Sequence, residues 1–108
     1  MPKYMIHVSY TAEGARGLQN DGGTKRRKAA QGLVESLGGK LEAFYFAFGD
    51  TDAVVIVDLP DVASAAAASV ALAASGAVTG KTTVLFTPEE MDQATKKSAN
   101  YTPPGKSK

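Results

Sequence analysis

The sequence predicts an α+β domain of the ferredoxin-like type, a βαββαβ two-layer sandwich with one antiparallel sheet. Three observations carry that expectation. Residues 4–10 alternate, with Tyr4, Ile6, Val8 and Tyr10 on one side and Met5, His7 and Ser9 on the other; period two is the signature of a strand. Residues 38–61 read as two strands joined by the tight acidic turn Gly49-Asp50-Thr51-Asp52. A glycine followed by aspartates suits an antiparallel turn. Helical segments flank this pair on both sides.

The elements follow in order. After the first strand, Thr11 is placed to cap a short helix, with Glu13 in its first turn. Gly14, Gly17 and the run Asn20-Asp21-Gly22-Gly23 weaken and stop it. A second helix starts at Thr24; Ala29, Ala30, Leu33, Val34 and Leu37 share one face, and Gly38-Gly39 ends it. The second strand is expected over 41–48. One face carries Leu41, Ala43, Tyr45 and Ala47, and the other Glu42, Phe44, Phe46 and Phe48. The third strand, 53–59, contains Val54, Val55, Ile56 and Val57, a run suited to burial on both faces. Asp61 after Pro60 caps a helix made almost wholly of alanine and serine, closed by Gly76. A fourth strand is expected over 82–87. Thr87-Pro88-Glu89-Glu90 then reads as a capping box that opens a last short helix, ending near Lys97. The expected domain covers 1–99, and 100–108 form an extended tail.

Composition bounds the rest. The chain has 108 residues, enough for one domain. A domain this short buries only roughly two-thirds of its unfolded surface, so self-association would help it. The formal net charge of +1 gives no reason to expect a nucleic acid or a membrane surface as partner. Cysteine is absent and His7 is the one histidine, so no disulfide framework and no metal site are expected. The first residues lack the apolar core of a signal peptide, and 62–78 is too weakly apolar to span a bilayer. A cytoplasmic protein is expected.

The segments SYTAEG at 9–14, the glycine- and arginine-bearing stretch 22–27, ESLGGKLEAFYFAFGDTDAVVIVDLPD at 35–61 and GAVTGKTTVLFTPEEMD at 76–92 resemble the GYD-domain family of small bacterial proteins. The family is named for a Gly-x-Tyr-Asp turn; here Thr51 occupies the tyrosine position. The resemblance implies a dimeric α/β barrel, in which two sheets pack face to face, and implies no particular activity.

Two places are candidates for chemistry. The first is the sheet face away from the helices, where Met5, His7 and Ser9 are expected to line a cavity between two sheets, mostly apolar, with Tyr45 or the phenylalanine row as its aromatic wall. Tyr10 and Thr83 are further candidates for that pocket. The second is the segment Gly23, Thr24, Lys25, Arg26 and Arg27, continued by Lys28, which crowds cations at an electropositive helix start. An anion docked there would relieve the repulsion. The spacing is not that of a phosphate-binding P-loop. Asp50 and Asp52 are expected to serve the turn rather than a metal.

The expected function is a small homo-oligomeric ligand-binding or accessory module, a homodimer or an assembly built on dimers. The alternatives are a cofactor-independent enzyme of the dimeric α/β-barrel kind, oxygenase- or isomerase-like, and a purely structural assembly unit. No catalytic pair and no cofactor fingerprint is visible in the sequence.

Overall fold

The alternation at the start of the chain becomes strand β1, Lys3–Tyr10, in a computed structural model that describes residues 1–106. Helix α1, Ala12–Asp21, follows directly; the Thr11 side chain accepts from the Gly14 N–H, and Gly22, at a φ of 78°, closes the helix. Helix α2, Gly23–Ser36, shares Gly22 as its N-cap and has no side-chain cap. It therefore begins one residue before the expected Thr24. Strands β2, Lys40–Phe46, and β3, Ala53–Asp58, are joined by the acidic turn. Helix α3, Val62–Ala74, is capped by Asp61; strand β4, Val78–Leu85, and helix α4, Pro88–Thr95, complete the order.

The sheet order is β2-β3-β1-β4 and every neighbouring pair is antiparallel. This is the expected ferredoxin-like arrangement. The core lies between sheet and helices. Tyr4, Ile6 and Val8 of β1, Ala53, Val55 and Val57 of β3, and Leu59, Val34 and Val78 form one buried cluster. Period two sorts the strands cleanly: buried residues alternate with half-buried ones along β1 and β3.

The chain departs from the sequence expectation at two strands. β2 does not keep one phase. A bulge between Leu41 and Ala43 shifts its register on β3, so Leu41 lies opposite Val57 and Phe44 opposite Val55, both on the helix side. The extra residue puts Phe44 and Phe46 on the same side as Leu41, with ring centroids 5.1 Å apart at 67°, an edge-on pair. Tyr45 is left on the open face. β2 also ends at Phe46, and Phe48 is 99% exposed. β4 begins at Val78, well before the expected 82, and ends at Leu85. Pairing along the whole of β1, from Tyr10 opposite Val78 to Lys3 opposite Leu85, carries Gly80 and Lys81 into the strand despite their weak local preference.

Gly14 allows a close approach that fastens the first helix to the last strand. A Cβ there would lie 1.9 Å from the Ala77 carbonyl oxygen. The same oxygen accepts the Thr11 N–H at 3.0 Å, and the Thr11 hydroxyl donates to Gly76 O at 2.9 Å.

α4 stands apart. Its capping box is complete, with the Glu90 carboxylate accepting from the Thr87 N–H at 2.8 Å and the Glu90 N–H donating back to the Thr87 hydroxyl at 3.0 Å. Yet residues 86–106 are all exposed. The radius of gyration is 17.5 Å, against about 13 Å for a compact chain of this length.

Candidate functional site on the open sheet face

The face of the sheet turned away from the helices is set by the odd-numbered residues of β1. Cross-strand register extends it in rows. Ala43, Ile56, Met5 and Thr83 form one row; Tyr45, Val54, His7 and Lys81 form the next; Ser9 faces Thr79 beyond. The β2–β3–β1 half of this face is mainly apolar. Met5, Val54 and Ile56 are half-buried, and Tyr45 is 72% exposed. Toward β4 the chemistry changes to hydroxyls, an imidazole and an ammonium group.

On that polar side the structure forms an open hollow of about 660 Å³, lined by His7, Ser9, Asp50, Thr51, Thr79, Gly80, Lys81 and Thr83. The acidic turn reaches it because the turn is bonded to the end of β1. The Asp52 N–H and the Thr51 hydroxyl both donate to Val8 O, at 2.8 and 3.0 Å. The Asp52 carboxylate accepts the Tyr10 N–H at 2.8 Å. Asp52 is thus engaged with backbone, as expected for the turn, although the backbone it holds belongs to another strand. These bonds leave Asp50 and Thr51 at the edge of the hollow. Thr51 serves here as a short tether.

The sequence-predicted residues are partly brought together. His7 and Ser9 line the hollow, and so does Thr83. Tyr45 shares the row of His7 but lies two strands away, about 10 Å at ordinary strand spacing. Met5 is in the neighbouring row. The hollow is lined mainly by polar residue types, whose aliphatic stems contribute much of its surface. Thr79, Lys81, Asp50 and Thr51 were not foreseen. The alternation Thr79, Lys81, Thr83 was present in the sequence, but Gly76 and Gly80 concealed the start of the strand. At the other end of the same face, Lys3 pairs with Glu42 and, at 2.9 Å, with Asp58. The bond to Glu42 first, and then that to Asp58, raises the Lys3 pKa above the usual lysine value.

The basic start of α2 is divided among three surroundings. Lys25 lies 3.8 Å from Asp21, one turn back. Arg27 joins Gly23, Thr24, Phe44 and Phe46 around a shallow hollow of about 250 Å³. Arg26, half-buried, lines a separate slot between α2 and α3. That slot is floored by the sheet, including Ile6, Val55 and Val57, and walled by Ala30 and Leu33 of α2 and Ala68 and Leu72 of α3. Among the described residues no group of three or more His, Cys, Asp or Glu is arranged to hold a metal ion, and no helix is long and apolar enough to cross a membrane.

Comparison with known families finds a match to the GYD domain over residues 4–95. The comparisons with curated proteins and with solved structures found no match.

Proposed function

We propose that this chain, which belongs to the GYD domain family, is a homodimeric binding module that holds a small polar ligand between two facing sheets. One observation carries the reading: the open face is divided into an apolar half and a polar hollow. Exposed apolar rows on a two-layer fold call for a partner surface. The polar half supplies Ser9, Thr79 and Thr83 hydroxyls, the His7 ring and the Lys81 ammonium group, with the Asp50 carboxylate at its edge, which together suit a hydroxylated small molecule. A second copy laid on the apolar rows would cover the hollow, exclude water and strengthen each of these bonds.

Native mass spectrometry of the purified protein, paired with sedimentation at micromolar concentration, tests both halves of the proposal. The expected result is a dimer that retains small-molecule mass, with that mass lost in the double variant H7A/K81A while the dimer persists. A monomer at these concentrations, or a dimer whose retained mass is indifferent to the two substitutions, would overturn it.

A further inference from the structure

The slot between α2 and α3 lies on the other side of the sheet and is a different kind of space. Its volume is about 110 Å³, and its lining residues are apolar apart from Tyr10 and Arg26. Among the described residues lining it, Arg26 alone is charged, and no described carboxylate forms an ion pair with its guanidinium. We propose that this slot binds a short-chain monocarboxylate, with an alkyl tail of about four carbons inside and the carboxylate on Arg26.

Size sets the tail. An apolar cavity of about 150 Å³ takes up one benzene molecule. The present slot is somewhat smaller and therefore suits a short chain. Its shape follows from sequence: Ala30 on one wall and Ala68 on the other provide too little bulk to close the gap above Val55 and Val57. Charge sets the head. A half-buried guanidinium has lost part of its hydration, and a carboxylate restores that loss with charge-assisted, potentially bidentate hydrogen bonds. The electropositive start of α2, which has no side-chain cap, lies at the same end and favours the same sign. The combination of an apolar lining and one orienting polar group is the usual make-up of a small-molecule site.

The test is a methyl-detected NMR titration of the whole protein with pentanoate, set against 1-pentanol, acetate and phosphate. Pentanoate is expected to shift the methyls of Leu33, Val34, Val55 and Leu72 saturably. R26Q should weaken pentanoate roughly tenfold, as for the loss of one charge-assisted bond, while leaving 1-pentanol unchanged. Ala68→Leu should remove both ligands by filling the slot; should that variant not fold, the smaller change Ala30→Val should weaken both. Four results would overturn the proposal: no saturable shift at tens of millimolar pentanoate; acetate or phosphate binding as tightly as pentanoate, which would mark a bare anion site; equal affinity in R26Q; or shifts confined to residues beside His7 on the opposite face. The slot lies within one copy of the chain, so failure here leaves the sheet-face reading standing, and the converse also holds.

Discussion

Single side chains in this protein fasten elements that are distant in sequence. Gly14 admits the Ala77 carbonyl where any side chain would collide with backbone. Gly14→Ala should therefore destabilise the fold by about 2–3 kcal/mol, the upper range for overpacking, measured by urea unfolding. A loss below about 0.5 kcal/mol would show that helix α1 shifts freely. Thr11 caps that helix and also bonds to Gly76 O, so Thr11→Ala should cost about 1 kcal/mol in the same assay. Asp61 gives a prediction with a sign. Its carboxylate accepts the Ser64 N–H at 2.8 Å, and that backbone bond is the main cause holding its pKa below the usual aspartate value. A lowered folded pKa contributes stability that is fully present above the unfolded value, about 3.9, and is lost as pH falls through the folded value. The melting-temperature gap between wild type and Asp61→Ala should be open at pH 6 and should narrow as the pH falls below the unfolded value of about 3.9. A gap constant over that range would show that the charge is immaterial to the cap.

At the scale of elements, β1, β3 and the helix caps were legible because each is written in local chemistry. Period two is intact in 4–10, 53–58 is a continuous apolar run bounded by turn signals, and Thr11, Asp61 and Thr87 each precede a run whose N–H groups donate to their side chains. β2 was half legible. Both of its phases are visible in the sequence, but the bulge that joins them depends on its register with β3, a tertiary fact. β4 was hidden for a similar reason: Gly80 and Lys81 interrupt its strand-favouring threonines and valines, and the edge strand takes its full length from β1. The candidate site suffered most from this, since half of the hollow's lining comes from that strand. The bulge carries its own prediction. Deleting Glu42 would remove the extra residue and leave Leu41 opposite Val57 and Phe44 opposite Val55 in a single phase, both still on the helix side. That variant should keep the native fold, read by near-UV circular dichroism, whereas an insertion between Phe44 and Tyr45, which shifts Leu41 out of phase, should lose it.

At the scale of the whole molecule, the two-layer fold leaves one sheet face with nothing above it. Ile56→Glu places a charge in the apolar row opposite Met5 without touching the helix-side core. On the proposed reading this variant should sediment as a folded monomer, with far-UV circular dichroism unchanged. An unaltered oligomer would locate the contact elsewhere. Helix α4 extends the same question in another direction. Eight residues with a complete capping box still fall short of the length at which a helix persists alone in water. Residues 86–106 are exposed in the single chain, so α4 has little packing within it. On the proposed homodimer its amide hydrogens would gauge assembly. If a second copy covers the arm, exchange across Pro88–Thr95 should slow as protein concentration rises, while exchange in Ala53–Asp58 at the centre of the sheet follows global unfolding. One sample, diluted in steps, would report on association and folding separately from two segments of one chain.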